Sequence, residues 1–168
     1  IHEWHENRPT QMDAIVDYGF GGGFPELMDK AIAARKDELK DVLFRDVLAT
    51  YTTKVSGTSN RINNVTLAAK ALNNTVINPG ETFDYNTCLG ERTAARGYKG
   101  AGAYADGQHV TQIGGGICQN SSTLYYCALY ANLDITVRYC HYFTVSYLPR
   151  GLDATVSWGG PDFRFVNT

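Results

Sequence analysis

The sequence predicts an α+β fold in which helices pack on a small antiparallel sheet. Three strand-like runs, "ITVRYCHYFTVSYLP", "DATVSWG" and "DFRFVN", follow one another near the carboxyl end, and the turns "RGL" and "GGP" separate them. Upstream, helical segments alternate with single strand-like runs and one long glycine-rich stretch. Helices in one part of a chain and consecutive strands in another are typical of the α+β class.

The amino-terminal part is predicted to contain two helices and one strand. Pro25 suits the first turn of a helix whose apolar residues recur to Val42. A β-branched and aromatic run predicts a strand over residues 44–55. Ser59 is the predicted N-cap of a second helix that reaches residue 73.

The middle of the chain is glycine-rich. The turn "NPG" precedes a short predicted strand in "ETFDYN". Residues 87–116 show little periodicity, and so long a loop inside a compact domain indicates a functional surface. A third helix is predicted to begin at Cys118, which three consecutive glycines and Ile117 precede.

Composition excludes several classes of function. The 168 residues carry a net charge of −2, which provides no electrostatic basis for binding nucleic acid. No apolar run approaches the roughly 18 residues that span a bilayer. The spacing of cysteines and histidines, including "HEWHE" at the start, matches no zinc motif, and the chain is long enough to fold without disulfides. The four cysteines are Cys88, Cys118, Cys127 and Cys140.

Cys118 is the candidate nucleophile. In the first turn of a helix, free amides and the positive end of the helix dipole favour the thiolate, which is the form that attacks an acyl carbon. The amides of Gly114, Gly115 and Gly116, together with that of Cys118, could form an oxyanion hole. A structural cysteine behind a glycine-rich turn is the alternative interpretation.

His141 is the candidate base, because it lies in a strand-like run shortly after the cysteine's helix. A helix-borne cysteine followed by a strand-borne histidine is the order found in papain-like enzymes. Asp153 would orient the imidazole if two neighbouring strands pair, and Arg138 and Arg150 are candidates for binding a carboxylate. The alternatives are a core histidine, a turn aspartate and solvated arginines.

Longer motifs resemble a known family. In this order, "NPGETFDYN", "GERTAARGYKGAGAYADGQHVTQIGGGICQNSSTLYYCAL" and "RYCHYFTVSYLPRGLDATVSWGGPDFRFVN" resemble the VanW family, named for an accessory protein of vancomycin-resistance clusters. The resemblance runs from Asn78 to Asn167. Residues 44–77 look like the usual lead-in, so the resemblance implies a domain over residues 44–168. Residues 1–43 would then be a linker or a helical remnant of a preceding region.

The resemblance also implies an activity. Members from clostridia are linked to peptidoglycan L,D-transpeptidation, which joins a donor tetrapeptide to an acceptor amine through a cysteine thioester. It implies that Cys118 is the nucleophile and His141 the base, with Asp153 and Arg138 in supporting roles. No metal or organic cofactor is needed. Such proteins are typically membrane-anchored and face the cell wall of Gram-positive bacteria, so this chain would be a soluble fragment of one.

The remaining expectations concern the walls of the substrate groove and two alternative functions. Tyr98 and Tyr104 are predicted to form a wall of the substrate groove. The runner-up function is a non-catalytic module that holds peptidoglycan or a glycopeptide antibiotic, which the tyrosine content would suit. A disulfide-stabilised structural domain, with Cys118 paired to another cysteine, is the third.

Overall fold

The computed structural model describes residues 17–18, 46–105 and 108–168. The helices are α1 (Ser59–Leu72), α2 (Tyr85–Leu89) and α3 (Cys118–Tyr130). The strands are β1 (Asp17–Tyr18), β2 (Asp46–Val47), β3 (Thr82–Asp84), β4 (Gly100–Ala105), β5 (Gln108–Ile113), β6 (Asp134–Val137) and β7 (Arg164–Val166). The helix predicted to end at Val42 lies outside the described residues. Of the strand predicted over 44–55, β2 is extended in a sheet, where it pairs with β1, and the residues from 48 onward are irregular.

Helix α1 confirms the helix predicted over residues 59–73. Its N-cap is Thr58, one residue earlier than expected, because the Thr58 hydroxyl accepts a hydrogen bond from the amide of Arg61 at 3.3 Å. The strand predicted in "ETFDYN" is also present, as β3. Local signals, a cap and a turn, therefore located both elements.

The main sheet has the order β3–β7–β6, with both pairings antiparallel. Phe165 in the central strand pairs with Phe83 on one side and with Ile135 on the other. A β-bulge lies between Ile135 and Val137. Because the last strand of the chain lies between two earlier ones, this sheet is complete only when the carboxyl end has folded. Together with the helices it confirms the α+β class.

Strands β4 and β5 form a hairpin within the segment that was expected to be an irregular loop. Six residue pairs join them, from Gly100 with Ile113 to Ala105 with Gln108. The expectation for residues 87–116 is therefore wrong over this hairpin. The run "GAGAYA" in β4 lacks the alternation of large apolar and polar side chains by which a strand is recognised in a sequence.

Helix α3 lies in the middle of the protein and begins at Cys118, as predicted. Its apolar residues Leu124 and Ala128 join a core that includes Phe163 and Phe165. The polar residues 119–123 are buried as well. Each of them donates at least one side-chain hydrogen bond to a backbone or side-chain oxygen, although Asn120 Oδ1 has no partner in the described structure.

The three strands predicted after α3 are only partly present. Strand β6 ends at Val137, so His141 lies in an irregular segment, and its prediction as a strand residue is wrong. The physical reason is a competing contact. The side chain of Arg138 turns inward, and its Nε donates to the carbonyl of Asp153 at 2.7 Å.

The run "DATVSWG" forms no strand in the described structure. Instead, serine hydroxyl groups of α3 form hydrogen bonds with backbone groups of this run. The amide of Ala154 donates to Ser122 Oγ at 3.0 Å, and the Ala154 carbonyl accepts from Ser121 Oγ at 2.7 Å. Side chains of a helix thus take the place of a neighbouring strand, which a strand-like sequence pattern does not reveal.

Candidate functional site

The thiol of Cys118 lies at the first residue of α3 and is half-buried. Cys118 forms no disulfide, so the interpretation that pairs it with another cysteine is wrong. Its Sγ is 3.4 Å from the carbonyl oxygen of Val156 and 3.6 Å from Thr155 Oγ1. The segment that follows Asp153 therefore forms one side of the sulfur's surroundings.

The three glycines before Cys118 form a tight turn that packs against strand β4. A Cβ atom on Gly115 would overlap the main-chain carbonyl of Ala101, so no other residue fits there. Gly116 has a φ of +102°, in the left-handed region that favours glycine. The glycines are thus required by the backbone path that delivers Cys118 to the start of its helix.

Two of the predicted oxyanion donors are already engaged. The amides of Gly114 and Gly115 donate to main-chain carbonyls in and beside the β4–β5 hairpin, at 3.1 and 3.0 Å. An amide that is committed to a carbonyl is not available to a developing oxyanion. Of the amides that the sequence indicated, those of Gly116 and Cys118 remain as candidates.

His141 and Asp153 are joined by two hydrogen bonds to a single carboxylate oxygen. Asp153 Oδ2 lies 2.6 Å from His141 Nδ1 and accepts from the His141 amide at 2.7 Å. Both side chains are largely buried. Because Nδ1 faces Asp153, the other ring nitrogen, Nε2, is the one left for the Cys118 thiol, whose pKa the nearby imidazole lowers.

The side chain of Arg138 is bonded to neighbouring parts of the protein and does not project into an open groove. Its guanidinium donates to the carbonyl of Gly151 at 2.9 Å and to Asp153 Oδ1 at 3.3 Å. The guanidinium carbon also lies 5.0 Å from the centre of the Tyr125 ring. Arg138 therefore fixes Asp153, which in turn fixes His141, and the expectation that it grips a substrate carboxylate does not fit this geometry.

The electrostatics of the site favour a thiolate–imidazolium pair. Burial acts to raise the pKa of the Cys118 thiol, but the hydrogen bond and charge of His141 outweigh it, and the net pKa is lowered. Burial acts to lower the pKa of His141, but Cys118 and Asp153 together raise it. For Asp153, hydrogen bonds from His141 and the charge of Arg138 overcome burial and lower the pKa. Each partner thus stabilises the charged form of the next.

The two tyrosines that were expected to line a groove differ in what the structure describes. Tyr98 is buried in the hydrophobic core, with the guanidinium of Arg96 5.8 Å from its ring centre, so it is a core residue and not part of a groove wall. Tyr104 lies on β4 opposite His109. Its side chain lies outside the described part of the structure.

Three residues near the thiol were missed by sequence reasoning. Thr155 contacts the sulfur, and Gln119, which follows Cys118, accepts a hydrogen bond of 2.9 Å from Arg61. Arg61 precedes Cys118 by more than fifty residues and sits in a helix of ordinary composition. No local pattern distinguishes it from a solvated arginine.

Within residues 46–105 and 108–168, no group of three or more histidine, cysteine, aspartate or glutamate side chains is arranged to hold a metal ion. In the same part of the chain, no helix has the length and apolar character that crossing a membrane requires.

Comparison with known proteins identifies the family. A family model described as "VanW like protein" matches residues 60–168, which is more than half of the chain. The chain belongs to the VanW family. The match contains the cysteine, histidine and aspartate described above, so these three side chains meet within the family's own domain. No solved structure matches the chain.

Two curated relatives share this VanW domain. The chain is 44% identical over 152 residues to the uncharacterised protein YoaR of Bacillus subtilis, covering 89% of the chain and 50% of that protein. It is 36% identical over 115 residues to the vancomycin B-type resistance protein VanW of Enterococcus faecalis, covering 64% of the chain and 41% of that protein. The chain thus spans about half the length of the curated relatives it matches, or less.

Proposed function

We propose that this VanW-family chain is a cysteine-dependent acyltransferase that forms peptidoglycan cross-links by L,D-transpeptidation. The observation that carries the proposal is the contiguous arrangement of Cys118, His141 and Asp153, in which the thiol pKa is lowered and the imidazole pKa is raised. A nucleophile, a base and a group that orients the base form the arrangement that acyl transfer through a covalent intermediate needs.

In the first half of the reaction, the Cys118 thiolate attacks the carbonyl carbon of the third residue of a donor tetrapeptide. The developing oxyanion accepts hydrogen bonds from the amides of Gly116 and Cys118. The C–N bond to the terminal D-alanine breaks, and the proton on His141 Nε2 passes to the leaving amine. A thioester and free D-alanine are the products.

In the second half, an amine of a neighbouring stem peptide attacks the thioester. Neutral His141 accepts the amine's proton, the C–S bond breaks, and an amide cross-link forms while Cys118 leaves as the thiolate. Water in place of the amine gives a shortened stem peptide, so a carboxypeptidase side reaction follows from the same chemistry. No step needs a metal or an organic cofactor.

The substrate class is supported by a relative and by the chemistry of the site. The relative from Enterococcus faecalis is named a vancomycin B-type resistance protein. We infer from this likeness that the chain acts on the cell wall, outside the cytoplasm. A half-buried thiol suits a substrate that reaches it along a surface groove, as an extended peptide does.

Intact-protein and product mass spectrometry test the proposal. The chain is incubated with a disaccharide-tetrapeptide, and the expected result is loss of D-alanine, a covalent adduct on the protein and a cross-linked dimer. Cys118→Ala abolishes all three. Cys88→Ala serves as the matched control, because Cys88 is an exposed free thiol on α2, and it keeps full turnover.

The opposite outcome has a defined meaning. Unchanged tetrapeptide with the wild-type chain, while Cys118 is shown to be a reduced thiol in a folded protein, would rule out the acyltransferase. A chain that then binds the disaccharide-tetrapeptide or a glycopeptide antibiotic equally well with and without Cys118 would be a binding module.

A further inference from the structure

A polar cavity of about 470 Å³ lies beside Cys118. Its lining residues are Lys54, Ser56, Arg61, Gln119, Ser146 and Tyr147. Gln119 directly follows Cys118, and the Cα atoms of successive residues are about 3.8 Å apart. Tyr147 is also near the thiol, since Cys118 adds to burial in raising the pKa of Tyr147. The cavity is therefore lined by the residue that follows Cys118 and by a tyrosine whose ionisation responds to the thiol.

The charge of the cavity suits an anion. Two of its six lining residues are cations, Lys54 and Arg61, and none of the six is acidic. Lys54 is exposed, whereas Arg61 is half-buried, so the lysine lies nearer to solvent and the arginine deeper. A guanidinium flanked by neutral polar groups favours a carboxylate, whose two oxygens match its paired N–H groups.

The guanidinium of Arg61 is held in position and keeps an unused donor. Its Nη2 donates to Gln119 Oε1 at 2.9 Å. Gln119 is itself fixed, because its Nε2 donates to Thr53 Oγ1 at 3.0 Å and to the Lys54 carbonyl at 3.2 Å. Arg61 Nη1, by contrast, is buried and has no hydrogen-bond partner. A buried donor without a partner is unfavourable, so an acceptor that enters this cavity supplies what Arg61 lacks.

We propose that this cavity is the subsite for the free terminal carboxylate of the donor peptide, with Arg61 as its principal contact and Lys54 at its rim. The inference rests on the proposed function. When the scissile carbonyl lies at the Cys118 sulfur, the carboxylate of the leaving D-alanine lies one residue farther along, about 3.5 Å. Arg61 lines the cavity and donates to Gln119, the residue that follows Cys118.

This subsite determines which donors are accepted. A tetrapeptide that ends directly after the scissile bond places its carboxylate on Arg61. A stem extended by another residue, or one with an amidated end, presents a neutral group to two cations and leaves Arg61 Nη1 without its acceptor. The proposed enzyme therefore selects donors with a free carboxylate at that single position.

Binding measurements test the subsite without turnover. In the Cys118→Ala background, isothermal titration calorimetry compares a stem tetrapeptide bearing diaminopimelate at its third position, as the free acid, with its carboxyl-terminal amide. We expect the free acid to bind at least about 10-fold more tightly, the effect of a charge-assisted hydrogen bond. Arg61→Gln reduces this preference to less than about 2-fold.

Two further variants keep the test decisive. Arg150→Gln is the matched control, because Arg150 is an exposed arginine that does not line the cavity, and it retains the full preference. Lys54→Gln covers the case in which Arg61→Gln fails to fold. Lys54 is exposed, so its truncation leaves the fold intact, and the preference falls by about 3-fold.

Several outcomes would overturn the subsite. These are equal affinity for acid and amide, no binding of either, or a preference that survives in both cavity variants. The diaminopimelate side chain carries a second carboxylate that could also bind in the cavity. A third tetrapeptide, amidated only on that side chain, tests this possibility. If only this peptide lost affinity, the assignment to the terminal carboxylate would be overturned. Release of D-alanine by the wild-type chain is measured separately, so failure of the subsite and failure of the transpeptidase remain distinguishable.

Discussion

The ionisation of Cys118 depends on its neighbour His141. Burial acts to raise the thiol pKa, and the histidine reverses that effect, so the pKa lies below the ordinary value of 9.0. We expect the rate of Cys118 alkylation by iodoacetamide, followed by peptide mass mapping, to rise with pH about a midpoint below 9.0. In His141→Ala the hydrogen bond and charge of the imidazole are lost while burial remains, and the midpoint rises. An identical midpoint in the two proteins would contradict the pairing.

The same shifts set the pH range of the proposed activity. The charged pair needs Cys118 deprotonated, which holds above its lowered pKa, and His141 protonated, which holds below its raised pKa. Turnover is therefore expected to be bell-shaped in pH, with the acid limb from the thiol and the alkaline limb from the imidazole. A profile that only rises with pH would show that His141 protonation is not needed.

At the residue scale, the sequence indicates which candidate site residues meet better than it indicates the direction in which their neighbours face. Cys118, His141 and Asp153 stand out because their residue types and order match acyl-transfer chemistry, and the structure brings them together. Arg138 was expected to face a substrate, yet it binds Asp153. Tyr98 was expected on a surface, yet it is in the core. Which way an arginine or a tyrosine faces is decided by segments far away in the chain, and no local pattern carries that information.

The glycine turn before α3 is the element whose sequence is most constrained. Gly115→Ala would place a Cβ atom against the Ala101 carbonyl of β4, and backbone cannot move aside as a side chain does. We expect a loss of about 2–3 kcal/mol in the free energy of unfolding, the usual cost of overpacking, measured by urea denaturation. Because the turn delivers Cys118 to its helix, turnover is lost as well.

Gly80 supplies the matched control for that prediction. Its φ of +80° is strained for alanine, but a Cβ there would meet nothing within 4 Å. Gly80→Ala therefore costs only about 1 kcal/mol, the penalty of left-handed backbone. Equal losses in the two variants would show that the close approach of Gly115 to β4 does not make glycine necessary there.

Helix α3 also positions the segment that bears Asp153. Ser122 Oγ accepts from the Ala154 amide at 3.0 Å and donates to the Ala154 carbonyl at 3.2 Å. Ser122→Ala leaves that buried amide without its partner and costs about 1–3 kcal/mol. The amide of Ala154 is expected to exchange faster with deuterium, as hydrogen-exchange mass spectrometry can measure. Unchanged exchange there would show that the segment is held by other contacts.

At the scale of elements, helices were predicted more accurately than strands. The N-cap region of α1 and the glycines before α3 are local signals, and both helices begin within one residue of the positions expected. The runs around His141 and Ala154 have strand-like residues but lie outside the ladders, because Arg138 and the α3 serines occupy their backbone groups. Strand formation depends on such distant partners, so the sequence predicts it less reliably.

At the scale of the whole molecule, the candidate site depends on the sheet. Its residues come from the start of α3, the segment after β6 and the segment before β7. Two of these segments adjoin strands of one sheet, and β7 is the strand in its middle. The pairing of β6 with β7 therefore anchors one end of both segments, although neither His141 nor Asp153 belongs to a strand.

Phe165 is the residue through which this dependence is tested. It is fully buried at the centre of β7 and stacks on Phe83 with ring centres 4.9 Å apart. Phe165→Ala is expected to lower the free energy of unfolding by about 3–5 kcal/mol in urea denaturation, because removing the ring leaves a cavity in the core.

Trp158→Ala is the control for this prediction. Trp158 is 52% exposed, and its loss of stability stays within about 0.5 kcal/mol. If Phe165→Ala cost no more than the control, the central strand would not be what holds the histidine and aspartate together. A large loss, with the Cys118 alkylation midpoint rising as the protein unfolds, would show that the acidity of the thiol is a property of the folded sheet and not of the glycine turn alone.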